Sequence, residues 1–159
     1  NFFINFLYST RVSNHLSNKA GIKPFLSLRY ITPLEDIEPL FFHKTKKFNE
    51  EIINVSEMSE ILTSTEFIPC PNGFVHPETY RLYEALECRC IPIVENAYKY
   101  YDRLFPNNPF IKVDRWIEAR RIIKEWKEDK IKQKREECRI WWSKYKNQLQ
   151  EFILDKINL

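Results

Sequence analysis

Glycine is almost absent from this chain. Only Gly21 and Gly73 occur in 159 residues, against an average usage of roughly 7%, so each marks a place where the backbone needs unusual freedom or where something approaches it closely. An excess of either charge is missing too: 25 Lys and Arg face 22 Asp and Glu. No whole-molecule field therefore draws the chain to nucleic acid or to an anionic membrane, and no nucleic-acid partner is expected. No apolar run approaches the roughly 20 residues that span a bilayer, and no signal peptide is visible. Because the chain starts at Asn1, the lack of a leader proves little. The four cysteines, Cys70, Cys88, Cys90 and Cys138, lack the two close pairs of a zinc site. Buried free thiols are one reading of them, and a Cys70–Cys90 disulfide between neighbouring strands is the other.

What is present is a rhythm of apolar runs and breakers that suits one compact unit. Phe3, Phe6, Leu7, Val12 and Leu16 fall near helical spacing, which predicts an amphipathic helix over 2–16, stopped near Gly21 and followed by a strand from Phe25 to Ile31. Pro33 and Pro39 flank a loop that the polar run Lys44 to Glu51 extends. A short helix opens near Ser56 and leads to a buried strand at Phe67 and Ile68. After the central segment come a short helix over 98–105, a turn at Pro106-Asn107-Asn108-Pro109, a strand over 110–113 and a helix capped by Asp114. Residues 127–159 predict one or two long helices packed on the body, with Trp141 and Trp142 as core and the charges of 130–139 as a solvated face. Strands separated by helices imply an α/β fold: a parallel sheet with helices on both faces over 1–126, and a helical appendage over 127–159.

The most informative stretch runs from Phe67 to Glu95 as strand, turn on Gly73, helix and second strand. Pro77 suits a first helical turn, which places the helix start near His76 or Pro77. A helix N-terminus offers unpaired N–H groups and a positive dipole end, so a phosphate-bearing ligand fits there. Arg81 and Glu84, three apart on one face, allow two readings. They form either a surface ion pair or a guanidinium for a diphosphate followed by a carboxylate for the two hydroxyls of a ribose.

Pro71-Asn72-Gly73, then Pro77-Glu78-Thr79-Tyr80-Arg81-Leu82-Tyr83-Glu84-Ala85-Leu86, then Cys90-Ile91-Pro92-Ile93-Val94 resembles the donor-binding motif of exostosin-like glycosyltransferases (glycosyltransferase family 47) and the related ribitol xylosyltransferases. The resemblance implies the C-terminal, Rossmann-like half of a GT-B fold, which binds a nucleotide sugar, with UDP-sugars favoured. It implies that Gly73 lies in the donor loop with His76, that Arg81 and Thr79 face the phosphates and that Glu84 holds the ribose. No cofactor or metal is expected, since the chain lacks the Asp-x-Asp by which metal-dependent transferases hold a divalent ion. A glycan acceptor and an N-terminal acceptor half, which commonly carries the catalytic base, are the partners implied. The compartment would be cytoplasmic in a bacterial or viral protein and the Golgi lumen in a eukaryotic one with an upstream anchor. Arg89 departs from the family pattern, which has glycine where the helix closes. A non-catalytic nucleotide-binding or scaffolding module is the alternative function, and His15 and His43 have no context that marks either as a base.

Overall fold

The computed structural model describes residues 4–9, 34, 40–45, 54–73 and 76–157. In chain order the elements are β1 (Ile4–Ser9), β2 (Leu40–Thr45), α1 (Val55–Thr63), β3 (Phe67–Cys70), α2 (Tyr80–Glu87), β4 (Ile91–Glu95), α3 (Tyr100–Leu104), β5 (Ile111–Val113), α4 (Trp116–Glu125) and α5 (Glu128–Ile157). A single turn of 3-10 helix, Ala97–Lys99, precedes α3. The strands form one parallel sheet in the order β2-β1-β3-β4-β5. The expected α/β fold is therefore present.

Alternation along the strands divides the core in two. Phe67, Ile91, Ile93, Ile111 and Val113 share one cluster with Trp116 and Ala119 of α4. Ile68, Cys70 and Val94 share the other with Leu82, Ala85 and Leu86 of α2, Tyr101 of α3, and Cys138 and Trp142 of α5. Both faces of the sheet are thus covered by helices, which is why the strands read as continuous apolar runs. The long helix α5 serves both sides, since Ile131 belongs to the first cluster and Cys138 to the second. It passes the amino ends of the strands, where Arg135 Nε donates to the Arg89 carbonyl at 3.0 Å just ahead of β4.

Several expectations need correction. Residues 4–9 form a strand rather than part of a helix, because Ile-Asn-Phe-Leu-Tyr-Ser is too short for its period to decide and is rich in strand formers. Leu40–Thr45 is a strand where a loop was expected, pairing in parallel with β1 from Ile4↔Leu40 to Ser9↔Thr45. The expected strand over 25–31 and the stop at Gly21 lie outside the described residues. The cap of α4 is Arg115, not Asp114; the Asp114 N–H instead donates to the Glu118 carboxylate at 3.1 Å. All four cysteines are free. The register explains the missing disulfide: Cys70 pairs with Val94, whereas Cys90 lies just before Ile91, the partner of Phe67. That offset of four residues is about 13 Å of strand, far beyond the reach of a disulfide.

Helix α5 is a single element, and only part of it docks. Ile131, Cys138 and Trp142 are buried, with Trp141 and Tyr145 packed against the same cluster. Beyond them Leu149, Phe152, Ile153 and Leu154 are exposed, so the predicted apolar face is not covered over its whole length. The Trp141–Trp142 pair is core, as expected, stacked with Tyr145, and Trp141 is edge-on to Phe105 and Phe110.

Candidate donor-binding site

The strand order reverses between β1 and β3, and in open parallel sheets ligands sit beyond the carboxyl ends of the strands at such a reversal. The segment Pro71 to Thr79 leaves β3 at that place. Its turn is closed by the Gly73 N–H donating to the Pro77 carbonyl at 3.3 Å, and Tyr101 Oη donates to the same carbonyl at 2.9 Å. Gly73 is required by crowding rather than by a left-handed backbone: a Cβ there would lie 2.6 Å from the His76 carbonyl oxygen. The chain itself makes the close approach.

Helix α2 begins at Tyr80, later than expected, with Thr79 as its extended N-cap (φ −133°). Pro77 therefore shapes the turn before the helix instead of opening it. Thr79 is in capping position, yet its hydroxyl makes no cap bond and Oγ1 is buried without a hydrogen-bond partner. Arg81 follows in the first turn. Its Nη1 lies 2.6 Å from Glu84 Oε2, and the side chains are 20% and 47% exposed. That contact is a close ion pair, so the Glu84 carboxylate is the partner of Arg81 Nη1. The structure thus brings Gly73, Thr79, Arg81 and Glu84 into one turn-and-helix unit, with His76 exposed in the turn. The Arg81–Glu84 ion pair foreseen as one of the two readings is formed.

The other end of α2 closes in a Schellman arrangement. The Cys90 N–H donates to the Ala85 carbonyl at 2.8 Å and the Arg89 N–H to the Leu86 carbonyl at 3.2 Å. Arg89 takes φ 60°, so the helix closes as a glycine would close it, with arginine in the left-handed position.

Five residues at the mouth escaped the sequence reading: Glu95, Asn96, Tyr98, Lys99 and Tyr100. Glu95 ends β4 beside the loop, and burial raises its carboxyl above the ordinary value, while the Asn72 backbone N–H and the Trp116 indole pull it part of the way back. The signal for it was a carboxylate closing the otherwise apolar strand Ile-Pro-Ile-Val-Glu. After β4 the chain holds Tyr98 and Lys99 at φ 56° and 55°, a left-handed pair of the kind that collects near functional sites. Asn96 fixes this bend, its Oδ1 accepting the Tyr101 N–H at 2.9 Å and its amide donating to Asp102 at 2.6 Å. Tyr100 Oη donates to Glu78, which ties α3 to the segment before α2.

A parallel sheet with this loop-and-helix unit at its carboxyl edge makes an α/β domain of the class that takes ligands beyond its strand ends. The model of the RXYLT1 C-terminal domain family matches residues 37–158. The chain belongs to that family, named for ribitol xylosyltransferase 1, a member of glycosyltransferase family 47. No match was found among curated proteins.

Proposed function

We propose that this domain binds the nucleotide-sugar donor of a glycosyltransferase, as the C-terminal half of a GT-B fold, for transfer to a glycan acceptor without a metal. The observation that carries the reading is the Thr79 hydroxyl, buried without a hydrogen-bond partner at the start of α2, beside the Arg81 guanidinium that Glu84 holds in the first turn. An unsatisfied buried hydroxyl is costly and rare, and a diphosphate would satisfy it together with the first N–H groups of the helix. Arg81 can grip phosphate oxygens through its fork of N–H groups. Preorganised donors of this kind stabilise a departing nucleoside diphosphate as its charge develops. Glu84, half exposed one turn further on, would take the ribose hydroxyls, and His76 would line the loop. A UDP-sugar is the favoured donor. The family's name puts a UDP-pentose first among those to try.

Titration calorimetry with UDP, GDP and their sugars tests this. Arg81→Ala should weaken UDP binding about ten-fold or more, the usual worth of a charged hydrogen bond, and Glu84→Ala should weaken UDP but not inorganic diphosphate. A chain that binds none of these nucleotides would sink the proposal. A non-catalytic nucleotide-binding module is the second reading, favoured by Arg81 being held by Glu84 at 2.6 Å. Sugar transfer by a protein that joins this domain to an acceptor half would remove it.

A further inference from the structure

The phosphate side of the mouth leaves one polar group unused. Glu95 follows Ile91 and Ile93 in the alternation of β4, and these face α4 rather than α2. Its carboxylate is therefore directed to the opposite side of the sheet from Thr79 and Arg81, and it faces the Asn72 backbone N–H and the Trp116 indole. Trp116 is 1% exposed, yet its Nε1 completes no hydrogen bond. Among the described residues no Lys, Arg or His shifts the Glu95 carboxyl, which stays raised by burial. A half-buried carboxylate with no cation and imperfectly aligned donors weakens a fold, so the fold by itself does not account for it.

We propose that Glu95 accepts hydrogen bonds from hydroxyls of the sugar carried by the donor, across the strand ends from the diphosphate cradle at α2. This rests on the nucleotide-sugar reading and adds a sugar subsite to it. The chemistry is complementary: phosphates only accept, and they meet donors at Thr79, Arg81 and the helix start, whereas sugar hydroxyls donate and meet a carboxylate. Asn72 links the two sides, because it stands in the loop that carries Gly73 and its N–H faces Glu95. Trp116, reaching in from the start of α4, lies beside the carboxylate with its indole N–H left over.

Calorimetry on the whole chain with UDP, UDP-xylose, UDP-glucose and UDP-N-acetylglucosamine, before and after Glu95→Gln, tests the assignment alongside urea unfolding. UDP affinity should stay within about two-fold, affinity for at least one UDP-sugar should fall about ten-fold or more, and the urea midpoint should not fall. Equal losses for UDP and UDP-sugars, no loss for any of them, or a wild type that binds UDP but no UDP-sugar would overturn the Glu95 subsite alone. A wild type that binds neither UDP nor its sugars defeats the donor reading and the subsite with it. If the Gln variant fails to fold, Glu95→Asp, which keeps the charge but withdraws it by one methylene, should show the same sugar-selective loss; a normal UDP-sugar affinity in that variant would then overturn the subsite.

Discussion

Arg89 stands at φ 60° where α2 meets β4, and both Schellman hydrogen bonds are intact around it. A left-handed arginine costs about 1–2 kcal/mol, part of which a glycine returns through its freer unfolded chain. Arg89→Gly should therefore raise stability by about 0.5–1 kcal/mol, read as a shifted urea midpoint at constant slope. Glu95 runs the other way. Its carboxyl is raised in the folded state, so the fold is penalised when that group is ionised; the penalty is absent below the ordinary carboxylate value and complete above the raised one. Glu95→Gln should gain stability over wild type at pH 7, with the gain fading as pH falls through the raised value toward 4.5. Urea titrations at several pH values check the sign. Of the candidate residues, the grouping of Gly73, Arg81 and Glu84 in one turn-and-helix unit was legible because their types follow one another in a recognisable order. Glu95 was not, because its significance depends on β4 lying beside the loop and on which side of the sheet it faces. The free Thr79 hydroxyl was equally hidden, since sequence marks a good cap but not an unused one.

At the scale of elements, α5 divides into a docked and an undocked part. Trp142 is 9% exposed and meets Tyr83 at 6.1 Å between ring centroids, whereas Phe152 is 60% exposed. Trp142→Ala should cost about 3 kcal/mol or more, and Phe152→Ala should stay within about 0.5 kcal/mol; parallel urea melts separate the two. The spacing of apolar residues made α5 and α4 readable, because about three turns or more give a period time to show, whereas α1 was readable from its polar start at Ser56. It failed for β1 and β2. Six-residue apolar runs fit a strand and a buried helical turn equally well, and what decides between them is pairing with each other across the sheet. The start of α2 was misplaced because Pro77 fits a first helical turn but is held here by Gly73 and Tyr101.

For the molecule as a whole, the order β2-β1-β3-β4-β5 sets the mouth at one edge of the sheet and the brace of α5 at the other. The thiols follow that plan. Cys70, Cys90 and Cys138 lie in the interior cluster, and burial pushes Cys90 and Cys138 up to about 12, which keeps them as unreactive thiols. Cys88 is only partly buried. Brief native alkylation followed by mass spectrometry should label Cys88 alone, with all four modified in urea; early labelling of Cys138 would mean that α5 detaches from the body. The aromatic stack on which α5 docks adds an optical consequence. Trp141, Trp142 and Tyr145 lie nearly parallel, with centroids 5.1 to 6.4 Å apart, and Trp141 and Tyr145 meet Phe105 only when the helix is seated. Rings fixed in so asymmetric an array give near-ultraviolet circular dichroism that vanishes once they rotate freely. Trp116, at the opposite edge, is not part of that array, so the seating of α5 and the occupancy of the mouth can be followed as separate spectral signals in one unlabelled sample.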